Sequence, residues 1–458
     1  MSSTMTDTQE TAKDPRLMRR VANASMAGSL LEWYDFYLYG FAAALVFAPL
    51  FFPGVDPIMG TLASFGTFAV GFIARPLGGI IFGHFGDRVG RKAMLVITLV
   101  IMGLSSVAIG LLPTYQQIGI AAPLLLILMR IFQGIGLGGE WGGAILMVVE
   151  YSPPNKTGWW GSVIQLGACL GQALATGLLF AFSFILPDEQ FMTWGWRIPF
   201  LLSALLLIVG LFIRLRILET PSFRKAQSKK QVEKFPLGVL LKKHWRALLA
   251  CFGVYLGAIT VPFFLQGVYL TSYGTDVLEL NRTGVLFGVA ALHATLYVAV
   301  TLLGGLVADR IGPRRVVKSG MMALIPASVL GVLILGDSLV QLFASIIIFA
   351  LPLWWAWGAL PAYFAGSFPT SVRYSGISLS AQAATIGGGM VPIVLTLSVA
   401  HFQSVWPLTF VAGGCALLGL ILLGIFGRKS ALVEDESGNE TSIVRPESIF
   451  SRPEGASS

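Results

Sequence analysis

The sequence predicts an all-α integral membrane protein: twelve transmembrane helices in two six-helix bundles, with both termini in the cytoplasm. Three observations carry this. Of 458 residues, 55% are apolar and only 12% are Asp, Glu, Lys or Arg, about half the charge of an ordinary soluble domain. The apolar residues gather into runs of about 20 or more, the length that crosses a bilayer. The basic residues collect in alternate connections between those runs. Together these exclude a cytosolic enzyme, a disordered chain and a secreted disulfide scaffold. The net charge of +8 follows from the placement of basic residues in connections, so it implies no nucleic-acid partner.

The expected spans 1 to 6 cover residues 17–47, 60–84, 92–112, 122–149, 157–186 and 196–216. Spans 7 to 12 cover 246–272, 284–308, 314–335, 339–364, 372–401 and 405–427. Residues 1–16 are polar and form an N-terminal cytoplasmic tail with no cleavable signal. Residues 217–245 are polar, rich in Lys, and form a cytoplasmic linker between bundles 17–216 and 246–427. Residues 428–458, rich in Ser, Glu and Pro, form a disordered cytoplasmic tail. With the N-terminus inside, only Arg75, Arg130, Arg197 and Arg282 of the 31 basic residues fall outside cytoplasmic segments, a strong positive-inside bias. Cys169, Cys251 and Cys415 lie far apart inside apolar runs. They form no metal spacing and no disulfide framework, and read as small buried hydrophobes.

The halves repeat. Gly83-His-Phe-Gly-Asp87-Arg88-Val-Gly90-Arg91-Lys92 follows span 2, and Gly305-Leu-Val-Ala-Asp309-Arg310-Ile-Gly312-Pro-Arg314-Arg315 follows span 8. Each is a G-x-x-x-D-R-x-G turn closed by paired basic residues, at the same place in its half. Parallel six-span repeats are a transporter architecture.

At these turns the sequence resembles the major facilitator superfamily. The resemblance implies that Asp87, Arg88 and Arg91, with Glu150 at the inner end of span 4, gate the cytoplasmic exit. Asp309 and Arg310 would be their counterparts in the second half. A narrower resemblance, to the metabolite:proton symporter family, covers almost the whole chain. It rests on Glu32-Trp-Tyr-Asp35-Phe-Tyr-Leu-Tyr-Gly, Ala74-Arg75-Pro76-Leu-Gly-Gly, Arg130-Ile-Phe-Gln133-Gly134, Gly139-Glu140-Trp141-Gly-Gly, Trp194-Gly-Trp-Arg197, Glu219-Thr-Pro-Ser-Phe and Phe368-Pro-Thr-Ser-Val-Arg373. That family includes shikimate, α-ketoglutarate, citrate and proline/betaine transporters. One departure is Gly366, where many members carry Glu; a cytoplasmic ion pair of the second half would then be missing. The Gly-Pro pair of drug exporters is absent from span 5.

Ionisable groups inside a membrane are costly and mark pathways. Within the spans stand Glu32, Asp35, Arg75, Arg130 and Glu140, all in the first half; the second half offers His293 and, near an end, His401. A proton-carrying carboxylate is therefore expected in the first half. Helix rise places Asp35 near Arg130 and Glu32 nearer Arg75, and the resemblance to sugar-type relatives supports the Asp35–Arg130 pair. These four are the expected proton-coupling residues. Glu140 lies among Gly138, Gly139, Gly142 and Gly143, which suggest close helix packing.

Polar and aromatic groups in apolar spans are the substrate candidates. Gln165 and Gln172 lie two turns apart on one face and match the ligand-holding Gln pair of sugar-type relatives. Arg130, Gln133, Tyr34, Tyr37, Tyr255, Gln266, His293, Tyr297 and Gln382 would complete the shell. Trp354, Trp355 and Trp357 would supply an aromatic wall, suited to a ring or to a quaternary ammonium. The expected activity is import of a small organic acid, shikimate-like, by proton symport with alternating access. The rivals are a proton-coupled importer of proline or betaine and a nutrient sensor on a transporter fold. No catalytic, metal or cofactor site is expected; the coupling ion is a proton. The expected partners are the bilayer, a small-molecule substrate and protons, with the chain working as a monomer in the cell membrane.

Overall fold

The computed structural model describes residues 15–89, 91–138, 140–153, 155–216, 236–369 and 372–427, with two short strands beyond. Each expected span corresponds to helix. Span 1 is Pro15–Leu45, span 2 Pro57–Val89, span 3 Arg91–Leu111, span 5 Thr157–Ile185 and span 6 Arg197–Arg216. Span 9 is Pro313–Ile334, span 10 Leu339–Ala365 and span 12 Pro407–Phe426. Among the described residues, 9 helical stretches are long and apolar enough to cross a membrane, and a bent pair including Arg197–Ile213 makes a tenth. The others are the shorter Val96–Leu111 of span 3 and span 1, which is 31 residues long.

Four spans are interrupted. Span 4 is Ala121–Leu137 then Trp141–Tyr151, broken at the glycines that the sequence assigned to close packing. That break leaves the Gly138 carbonyl free to accept Gln382 Nε2 of span 11 at 3.3 Å. Span 8 breaks between Arg282–Ala294 and Leu296–Ile311, and span 11 between Arg373–Gly389 and Val391–Phe402. Span 7 runs from Trp245 to Asp276 through two π-helical segments, Tyr255–Thr260 and Leu265–Tyr269, on either side of Pro262. Proline lacks the N–H that continues an α-ladder, and π turns absorb the mismatch.

Helices within the first half pack through glycine. A Cβ on Gly134 would overlap the Gly71 carbonyl, and one on Gly78 the Ile135 carbonyl, so spans 2 and 4 touch backbone to backbone. Between the halves, contacts occur at three depths. At the predicted cytoplasmic end, Asp309 of span 8 holds the start of span 5. At mid-depth, Cys169 Sγ lies 3.6 Å from Thr301 Oγ1, and Tyr37 stacks on Phe263 at 4.8 Å. At the outer end, Arg282 Nη1 reaches Met192 Sδ at 3.7 Å. The halves thus meet on both sides of the centre, an occluded arrangement.

The N-terminal tail, most of the linker and most of the C-terminal tail lie outside the described residues. Beyond Gly427, Val433–Glu434 pairs antiparallel with Glu440–Thr441, a two-residue ladder within the tail expected to be disordered.

Candidate functional site

The first-half charges organise around Asp35, which is buried on span 1. Ser203 of span 6 donates to its Oδ1 at 2.6 Å, and Ser106 of span 3 also lies against the carboxylate. Ser106 Oγ accepts Gln133 Nε2 at 2.6 Å, and Gln133 Oε1 accepts Arg130 Nη1 at 3.0 Å. Asp35 and Arg130 are therefore linked through Ser106 and Gln133. The direct pair expected from helix rise is not made in this conformation, because Gln133, one turn along span 4, stands between them. The Arg130 guanidinium is instead enclosed by rings, 4.3 Å from the Tyr39 centroid and 4.8 Å from that of Phe68. Such stacking suits a delocalised cation in a dry site.

Arg75, one turn beyond Gly71 on span 2, is 6% exposed. Its guanidinium lies 4.6 Å from the Phe72 centroid and 5.2 Å from that of Phe36. Glu32, also buried, and Tyr255 of span 7 are its electrostatic neighbours. The expected Glu32–Arg75 proximity is present.

Between the halves lies a set of buried polar atoms without hydrogen-bond partners. Tyr37 Oη, both amide atoms of Gln172 and of Gln266, His293 Nε2, Tyr297 Oη and Trp354 Nε1 are all of this kind. Buried polar atoms are nearly always paired, with protein or with water, so this concentration marks a candidate place for a ligand or bound water. Most of these side chains form one group. His293 lies 4.6 Å from the Tyr297 ring and 5.5 Å from Trp354, and Tyr297 stacks on Trp354 at 5.5 Å. Tyr37 lies 6.3 Å from His293, and both Tyr37 and the Gln172 amide approach Gly267. His293 Nδ1 is 2.8 Å from the Val289 carbonyl, which leaves Nε2 facing inward. A second aromatic group, Trp33, Trp141, Trp357 and Tyr255, continues the wall; Trp33 and Trp357 are 5.6 Å apart and Trp141 and Tyr255 5.1 Å.

Several candidates are placed differently from the sequence expectation. Gln165 faces the second half but is paired: its Nε2 donates to the Trp357 carbonyl at 3.3 Å, and Trp357 Nε1 donates to the Gln165 carbonyl at 3.2 Å. The two glutamines share a face, yet only Gln172 retains an unpaired amide. Tyr34 donates to the Pro199 carbonyl at 2.6 Å, fixing span 1 against span 6. Trp355 points from span 10 to span 9, donating to Ser319 Oγ at 3.0 Å, apart from the other two tryptophans. Gln382 is committed to the span 4 break.

At the inner end, Asp309 Oδ1 accepts the Gly158 amide at 2.7 Å and Oδ2 the Trp159 amide at 2.9 Å. Arg310 is exposed. The side chains of Asp87, Arg88, Arg91 and Glu150 lie outside the described residues. Sequence reasoning did not single out Ser106, Ser203, Trp33 or Trp141. A serine in an apolar run carries little signal until a neighbouring helix brings it to a charge, and Trp33 and Trp141 were read only as parts of longer motifs.

A family profile described as "Sugar (and other) transporter" matches residues 21–235. The chain is 42% identical over 415 residues to the inner membrane metabolite transport protein YhjE of Escherichia coli K12, covering 89% of this chain and 91% of that one. It is 36% identical to the shikimate transporter of the same organism, covering 88% and 94%. It is 35% identical to the proline/betaine transporter of Salmonella typhimurium LT2, covering 89% and 83%. In fold it is similar to a crystal structure of a D-xylose-proton symporter, with TM-score 0.69 at 17% identity over 92% of this chain and 99% of that one. The partially occluded inward-open form of the E. coli xylose transporter XylE gives TM-score 0.70 at 15% identity, covering 89% and 97%. The repeated turns, the two bundles and these full-length relatives agree: the chain belongs to the major facilitator superfamily, as a multi-pass membrane transporter of its metabolite:proton symporter family.

Proposed function

We propose that this transporter imports a small, ring-bearing organic acid with protons by alternating access. The observation that carries the reading is the group of unpartnered polar atoms on Tyr37, Gln172, His293, Tyr297 and Trp354, set in aromatic walls between the halves. Hydroxyl, amide, imidazole and indole groups can bind substrate hydroxyls from several sides, while the rings cover an apolar ring face. Two guanidinium groups, Arg75 and Arg130, are buried in the first half, and Arg75, which has no bond like that of Arg130 to Gln133, is available to balance a carboxylate. Asp35 is the proton carrier of this reading, and the Ser106–Gln133 bridge lets its charge state be felt at Arg130. Asp309 and span 5 form the cytoplasmic lock. Two relatives carry names that fit a carboxylate substrate, the shikimate transporter and the proline/betaine transporter.

Uptake into proteoliposomes tests the reading. Labelled shikimate, α-ketoglutarate, citrate, protocatechuate, proline and betaine are compared with and without an inward proton gradient. Gradient-dependent accumulation of a hydroxylated or ring acid is expected. Accumulation of betaine or proline alone would favour a zwitterion importer, for which the stacked Tyr297–Trp354 pair is the supporting feature. Accumulation of none under the gradient would overturn the proposal.

A further inference from the structure

We infer that Arg75 is the residue that grips the substrate's carboxylate, while Arg130 serves the Asp35 network. This rests on the proposed import of a carboxylate metabolite and names the anchoring residue. It holds equally for a zwitterion such as proline, which carries the same group.

The two arginines look equivalent in sequence, each a lone cation in an apolar run. Their surroundings differ. Arg130 is committed: Nη1 donates to Gln133, the guanidinium is stacked by Tyr39 and Phe68, and its Nε lies against Gly71 of span 2. Moving it toward a ligand would break the polar bridge that links it through Gln133 and Ser106 to Asp35.

Arg75 is enclosed to the same degree but without such a bridge. It is 6% exposed, and its Nε, like that of Arg130, finds no hydrogen-bond acceptor; what it lacks is a side-chain bridge such as the one Gln133 gives Arg130. A buried guanidinium that lacks full hydrogen bonding is costly to hold. Its planar fork is shaped for two parallel bonds to a carboxylate. Phe36 and Phe72 back the guanidinium, which leaves its edge as the direction of approach. Tyr255, its neighbour from the second half, packs on Trp141 and Trp357, so Arg75 borders the aromatic wall and not an isolated pocket. Because Arg75 and Tyr255 belong to opposite halves, a carboxylate held there touches both bundles. The assigned ligand group is thus a carboxylate.

Binding to purified protein in nanodiscs, read by intrinsic tryptophan fluorescence, tests this. The probes are shikimate against methyl shikimate, and proline against proline methyl ester. The parent is expected to prefer the acid in at least one pair by about 10- to 100-fold, the worth of a charge-assisted bidentate contact. Arg75→Gln should abolish that preference by weakening the acid while leaving the ester unchanged. Arg75→Lys should keep part of it, which guards against a folding defect in Arg75→Gln. Arg130→Lys should keep the acid preference at equilibrium. No acid preference in either pair for the parent, including no binding of either acid, overturns the assignment. So does a preference that survives Arg75→Gln or is lost only in Arg130→Lys. Import is read separately, by gradient-driven uptake, so a failure of symport leaves this binding result standing and the reverse also holds.

Discussion

Asp309 and Gly158 belong to opposite halves of the molecule, and the Asp309 carboxylate accepts the Gly158 amide at 2.7 Å. The neighbouring Trp159 amide occupies the other oxygen at 2.9 Å. Span 5 begins at Thr157, so both amides are first-turn groups with no intrahelical acceptor. A carboxylate there satisfies them and meets the positive end of the helix dipole. The contact needs no side chain from span 5, and it is made or broken as a unit when the halves move.

The first prediction follows from that contact. Asp309→Asn removes the charge and one of the two acceptors, which costs about 1–2 kcal/mol on the side where the halves are closed. The population should shift toward inward-open by roughly tenfold. Cysteine-accessibility labelling of cavity positions from each side checks this: cytoplasmic labelling rises and external labelling falls. Equal labelling of variant and parent would reduce Asp309 to a helix cap.

A second prediction concerns the close approach of spans 2 and 4. Gly134→Val places atoms where the Gly71 carbonyl lies, so the helices must separate. Overpacking of this kind costs about 1–3 kcal/mol, and the thermal unfolding midpoint in detergent should fall by several degrees. Gly177→Ala, at a mid-helix glycine where an added Cβ would meet nothing within 4 Å, is the control and should leave the midpoint in place or raise it slightly.

Much of this was legible in the sequence, and the failures have physical causes. Each expected span coincides with helix to within about five residues, because a bilayer imposes length and composition together. Asp35, Arg75 and Arg130 stood out because a charge in an apolar run is rare, and Asp309 because it lies in the turn that repeats after span 8. The contacts between helices were not. Helical periodicity puts Gln165 and Gln172 on one face, but Trp357 reaches only Gln165. Gln133 was singled out as a substrate ligand, whereas its i, i+3 bond to Arg130 and its reach to Ser106 make it a bridge. Trp355 and Trp357 differ by two positions, which on a helix points them to different neighbours.

A third prediction separates the two glutamines. Gln172→Ala removes a buried amide that has no protein partner, so stability should change little while KM for the transported substrate rises by about tenfold or more. Gln165→Ala removes one of the two hydrogen bonds joining span 5 to span 10. Its effect should fall on the maximal rate, through the balance of open and closed states, with a smaller change in KM. Initial-rate uptake over a range of substrate concentrations distinguishes them. The opposite assignment, KM moved by Gln165→Ala and not by Gln172→Ala, would place the substrate nearer the inner end.

The last prediction concerns coupling through Asp35. Its carboxylate is held by Ser203 and linked through Ser106 and Gln133 to Arg130. A neutral Asn keeps the shape and can still accept from Ser203, but it cannot gain or lose a proton. Net import needs a proton loaded outside and released inside on every cycle. Exchange of substrate for substrate needs the loaded carrier to move back and forth and requires no net proton transfer. Asp35→Asn should therefore abolish gradient-driven accumulation and retain counterflow in preloaded proteoliposomes. Gln133→Leu cuts the bridge to Arg130 while leaving Asp35 and its bond to Ser203 in place. It should lower the accumulation ratio at a given pH gradient without abolishing it, because the carrier still titrates but communicates poorly with Arg130. Accumulation by Asp35→Asn equal to that of the parent would move the proton site elsewhere, with Glu32 the next carboxylate to replace.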